Sequence, residues 1–78
     1  MSTDTLRPFP TAPDFAATDH DRRVFRAGMR EAWLDRADQY LQMAQEALGA
    51  GNTVGAEAHL LQVGTAVRQS RFYAGNPA

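Results

Sequence analysis

Apolar residues recur every three or four positions on both sides of a glycine-rich turn, which is the spacing of amphipathic α-helices. The turn covers residues 49–53 and reads Gly-Ala-Gly-Asn-Thr. Its glycines supply the left-handed backbone with which helices often end, and Asn52 or Thr53 caps the helix that follows. The pattern predicts an all-α fold, an antiparallel helical hairpin, with helices over about residues 19–48 and 53–72.

Local signals set the limits of these helices. Thr18 or Asp19 is a good N-cap for the first helix, and Gly75 followed by Pro77 ends the second. Gly28 is the weak point of the first helix, since glycine costs about 1 kcal/mol relative to alanine, and a kink near it is an alternative. The predicted organisation is an extended, proline-containing arm over 1–17, a hairpin over 18–74 and a tail over 75–78.

The leucines and alanines of the two helices predict the seam along which the hairpin closes. Folding the chain back about Ala50 brings Leu41 near Leu60 and Ala44 near Ala56. Small residues on both sides let the helix axes approach closely. The predicted seam comprises Leu34, Ala37, Leu41, Ala44 and Leu48 on the first helix and Ala56, Leu60, Val63 and Val67 on the second.

A second apolar stripe lies about 100° round the first helix. It comprises Phe25, Met29, Trp33, Tyr40, Met43 and Ala47. One shorter helix cannot cover both stripes, and soluble monomers rarely expose a large apolar patch. The cover is the arm with Phe9 and Phe15, a second copy of the chain, or another protein. Because aromatic residues anchor interfaces, the predicted partner-binding residues are Phe9, Phe15, Phe25, Met29, Trp33 and Tyr40.

The positive charges gather at one end of the predicted hairpin. Net charge is −1, and all eight basic residues are arginine. Six of them meet at the open end, opposite the turn: Arg22, Arg23, Arg26, Arg30, Arg68 and Arg71. They form either a solvated face with local ion pairs or a site for an anionic partner such as nucleic acid. The residues predicted for that alternative are Arg22, Arg26, Arg30, Arg68 and Arg71.

The sequence lacks the residues that most reactions require. Cysteine is absent, and the two histidines, His20 and His59, fall on different helices toward opposite ends, so they cannot share a metal. The expectation is a protein that is not an enzyme and has no cofactor, metal or small-molecule substrate. No apolar run reaches the ~18 residues of a membrane span, and no signal peptide is recognised, which predicts a cytoplasmic protein without membrane contact.

Residues 37–62 carry a resemblance. Residues 37–47 read ADQYLQMAQEA, followed by Gly51-Asn52, then Val54, Ala56-Glu57 and Leu60-Leu61-Gln62. This is similar to the helical hairpin of an uncharacterised arginine-rich alphaproteobacterial family, and the portion from Gly51 resembles a single tetratricopeptide-like helix pair. Both resemblances imply a helical hairpin used for binding.

These observations predict a small protein–protein interaction module, accessory subunit or inhibitor that binds through the apolar stripe and the arm. A small phage-type or other bacterial protein fits this size. The alternative function is a nucleic-acid-associated protein that uses the arginine cluster. Salt dependence separates the two, because phosphate contacts weaken steeply with salt and apolar contacts do not.

Overall fold

The computed structural model describes residues 8–14 and 16–74 and contains two α-helices packed against each other. Helix α1 spans Asp19–Gly49 and helix α2 spans Thr53–Ala74, joined by three residues. The predicted all-α hairpin is confirmed, with each helix ending one or two residues later than expected. α1 is helical at Gly28 and on both sides of it, so the chain has no break there.

A capping box starts α1. The Thr18 hydroxyl accepts a hydrogen bond from the backbone N–H of Asp21 (3.1 Å), and the Asp21 carboxylate accepts one from the Thr18 N–H (3.1 Å). Two of the N–H groups that a helix start leaves without helical partners are therefore satisfied. Asp19 and Asp21 also place negative charge at the positive end of the helix dipole.

The chain reverses through a Schellman turn. Gly51 has a φ of +79°, and its N–H donates to the Leu48 carbonyl (3.0 Å) while the Asn52 N–H donates to the Ala47 carbonyl (2.8 Å). The Asn52 side chain then accepts from the N–H of Gly55 (2.9 Å) and caps α2. A β-carbon at position 55 would meet the Asn52 side chain, so glycine here leaves that side chain free to adopt its capping position.

Alanine is the main buried residue. The residues buried in the described part of the chain are Ala32, Ala37, Ala44, Ala56, Ala66 and Ser70. Ala37, Ala44 and Ala56 belong to the predicted seam between the helices, whereas Ala32 lies on another side of α1. Ser70 satisfies its hydroxyl within α2, by donating to the Val67 carbonyl (2.7 Å). No large side chain among the described residues is fully buried.

The prediction of the seam was right for its alanines and wrong for its leucines. Ala37, Ala44 and Ala56 are buried, as expected. The four leucines placed in the seam are instead exposed: Leu34 by 37%, Leu41 by 42%, Leu48 by 55% and Leu60 by 47%. Methyl groups let the two backbones approach closely, and the narrow gap that results has no room for longer side chains.

The hairpin is a single layer of helices. The two helices lie side by side, and the described residues contain no further helix or strand that covers them. Domains normally bury their apolar surface between at least two layers, so this hairpin leaves apolar side chains in contact with water.

Candidate interaction surfaces

The aromatic stripe of α1 is largely used inside the hairpin. Phe25, Met29, Trp33 and Tyr40 are all half-buried. The Phe25 ring packs edge-on against Tyr73 of α2, with ring centroids 6.2 Å apart. The stripe that was expected to be surplus therefore turns toward α2 and the arm, and the leucines take the outward position.

The N-terminal arm docks on the same stripe. Phe9 lies 4.9 Å from Trp33 between ring centroids, and the Arg36 guanidinium sits 4.0 Å from the centroid of the Phe9 ring. A β-carbon at Gly28 would lie 3.2 Å from Cγ of Pro10. Glycine at this position lets the arm approach the helix, which is the structural use of a residue that the sequence marked only as a weak point.

Two features of the arm and of its contact site on α1 bear on partner binding. Phe9, predicted to bind a partner, is 39% exposed although it packs on Trp33. The indole N–H of Trp33 is buried and has no hydrogen-bond partner among the described residues. Phe15, the other aromatic residue of the arm, lies outside the described residues.

An exposed apolar surface runs along one side of both helices, and we name it the leucine face. It comprises Leu34, Leu41 and Leu48 on α1 and Leu60 and Val67 on α2. The residues on each helix are seven apart and so share one side of it. The antiparallel register brings Leu41 about level with Leu60, and Leu34 about level with Val67. Each of the four leucines is more than one third exposed.

The arm and the leucine face lie on opposite flanks of α1. Gly28, Ala32 and Arg36 are four apart and form the row beneath the arm. Leu34 follows Ala32 by two residues, which is a rotation of about 200° round an α-helix. Residues 8–14 therefore cannot cover the leucine face without leaving their own site.

A basic concavity occupies the open end of the hairpin. It has a volume of about 560 Å³, and its charged lining residues are Asp19, Arg22, Arg23, Arg26 and Arg30, with Tyr73 beside them. Arg22 pairs with Asp19 at 3.5 Å on the exposed surface, a weak interaction. This arrangement can hold an anionic group by charge and by guanidinium hydrogen bonds.

The structure divides the five arginines predicted for an anionic partner. Arg22, Arg26 and Arg30 line the concavity, spaced one helical turn apart. Arg68 and Arg71 do not line it, and the Arg68 guanidinium donates to the Thr65 hydroxyl within α2 (3.3 Å). Three of the five predicted arginines therefore share the concavity, and the clustering of all five stays a prediction.

The described residues contain no group of three histidine, cysteine, aspartate or glutamate side chains placed to hold a metal ion. His59 lies 3.0 Å from the Gln62 side-chain oxygen, one turn along the exposed surface of α2. Neither described helix is long and apolar enough to cross a membrane.

Comparisons with known protein families, with curated proteins and with solved structures return no match. The resemblance of residues 37–62 to a helical hairpin family stays a prediction. Any function must be argued from the surfaces themselves.

Proposed function

We propose that this chain is a helical protein–protein interaction module that binds through its leucine face. The observation that supports it is the exposure of Leu34, Leu41, Leu48 and Leu60, by 37–55%, while the buried residues between positions 8 and 74, Phe15 aside, are alanines and one serine. Four leucines on one side of a hairpin are apolar surface that association with another protein removes from water.

The energetics favour association over an isolated hairpin. Full burial of a leucine contributes roughly 1.5–3 kcal/mol relative to exposure. Burial of the exposed parts of these four leucines on binding therefore contributes several kcal/mol. Alanine side chains bury little area, and a chain of this length is marginally stable even with a normal core. The module therefore gains much of its stability at the moment it docks.

The proposed contact surface is the leucine face rather than the aromatic stripe that the sequence predicted. Phe25 packs against Tyr73 of α2 and Trp33 packs against Phe9 of the arm, so both rings stabilise the hairpin from within. Tyr40 is half-buried as well. Phe9 keeps an exposed edge and extends the surface on the other flank. The arm thus acts first as a cover for Trp33 and second as a contact for a partner.

Site-specific photocrosslinking in cells tests the proposal. A photoreactive phenylalanine analogue at position 41 is expected to yield covalent adducts with protein. The same analogue at position 61 is the control, because Leu61 is 72% exposed and neighbours Leu60 on α2 but lies off the leucine face. Equal adduct yields at the two positions, or none at position 41, would refute an interaction through this face.

The concavity supports a second candidate function, an anionic partner such as nucleic acid. The test compares two exposed arginines, Arg26, which lines the concavity, and Arg71, which does not and serves as the control. Arg26→Gln is expected to weaken binding of a single-stranded oligonucleotide and to lower the salt slope by about 1, while Arg71→Gln, with the same loss of charge, changes neither. Anisotropy titrations at several salt concentrations measure both. Equal effects of the two variants would mean that no defined site exists.

A further inference from the structure

We infer that the occupant of the leucine face is a second copy of this chain, docked antiparallel to form a four-helix bundle. The inference rests on the proposed function, since it names the partner of the same face. Three observations carry it: the exposed leucines, the symmetry of the face and the separation of charge along the hairpin.

The leucine face leaves apolar surface in contact with water. Leu34, Leu41, Leu48 and Leu60 are 37–55% exposed, whereas the buried residues of the described chain are alanines and one serine. A second copy that packs on this face removes the leucines of both protomers from water at once.

The leucine face is complementary to its own copy. Leu34, Leu41 and Leu48 are evenly spaced, so a twofold axis at Leu41 places Leu34 against Leu48 of the copy. In the register set by the turn, the same axis passes close to Leu60. Each protomer then contributes the same patch, which is the form of interface that closed homodimers use.

Charge selects the antiparallel orientation. Residues 19–30 and 68–74, at the open end, hold six arginines and two aspartates. Residues 31–67 hold five acidic residues and one arginine. An antiparallel pair brings the basic end of each copy over the acidic part of the other. A parallel pair would gather twelve arginines at one end, where like charges oppose docking.

Light scattering of the purified chain, over a range of concentrations, tests the second copy. We expect twice the chain mass of 8.6 kDa. Leu60→Glu should weaken self-association at least ~100-fold, because two carboxylates would meet near the axis in an apolar environment. Leu61→Glu is the matched control and should stay dimeric. A wild-type chain of 8.6 kDa at all concentrations, or equal behaviour of the two variants, overturns the inference.

Crosslinking of single-cysteine variants tests the orientation without relying on a destabilised protein. The chain has no cysteine of its own. With a short bismaleimide, Leu41→Cys is expected to form a dimer, and a mixture of Leu34→Cys and Leu48→Cys a mixed dimer. Failure of both in a dimeric protein overturns the antiparallel bundle. A monomer whose position 41 still photocrosslinks to other proteins would refute the second copy and leave the proposed function standing.

Discussion

Replacing Ala44 by leucine is expected to lower the free energy of unfolding by about 3 kcal/mol, enough to unfold much of the hairpin. Ala44 is 1% exposed, in a seam formed with Ala37 and Ala56. A leucine there must push the helices apart, because Ala44 is almost fully enclosed and Ala37 and Ala56, buried in the same seam, are small as well. A difference in helix propensity does not offset this loss, because leucine and alanine are both strong helix formers.

Ala58→Leu is the control for this substitution. Ala58 is exposed on α2, so the same added atoms meet solvent and the unfolding free energy should change by less than about 0.5 kcal/mol. Urea denaturation followed by circular dichroism measures both, at one fixed protein concentration, because the stability of a self-associating chain depends on concentration. If Ala44→Leu is as stable as the wild type, the helices do not meet as closely as the alanine seam requires.

Trp33→Ala is expected to cost about 2–3 kcal/mol and to release the arm from α1. The indole is half-buried, which sets the loss below that of a fully buried tryptophan. It is also the ring against which Phe9 packs at 4.9 Å. Trp33→Phe keeps an aromatic surface and removes a buried N–H without a described partner, so it should lose less.

Phe72→Ala removes an aromatic ring that is 71% exposed and serves as the matched truncation, with an expected change within about 0.5 kcal/mol. Circular dichroism is the probe, since Trp33 is the only tryptophan. Release of the arm is read from faster proteolysis of residues 8–14 and from the loss of ring contacts of Phe9 in NMR spectra. An arm that stays docked in Trp33→Ala would show that Arg36 and the Pro10 contact hold it.

Several local features followed from the sequence because they depend on neighbours in the chain. Thr18 was one of two expected caps and is the cap of α1. Gly51 adopts the left-handed backbone and Asn52 caps α2, both inside the predicted turn. Helical periodicity gave both helices nearly to their ends. Backbone hydrogen bonds and caps span three to five residues, so the sequence specifies them directly.

The choice between the two apolar stripes needed the tertiary structure. Sequence periodicity located both stripes on α1, but it assigned the leucines to the seam and the aromatics to the outside. The alanines decided otherwise, since they fix how closely the axes approach and that distance excludes leucine from the seam. The sequence did contain a signal for this outcome, namely the small size of Ala37, Ala44 and Ala56. Their size predicted that the helices approach closely, but not that Leu41 and Leu60 are then left outside the seam.

The candidate surfaces also depend partly on the sequence alone and partly on the tertiary structure. The sequence by itself determined that two helices form, where they turn, and that more apolar surface exists than one hairpin can bury. Only the tertiary structure decided which residues stay outside, that the arm docks on Trp33 and passes close to Gly28, and which arginines line the concavity. Periodicity gives the direction of a side chain round its own helix. The distance and rotation between helices, which decide its burial, depend on every contact of the packed seam.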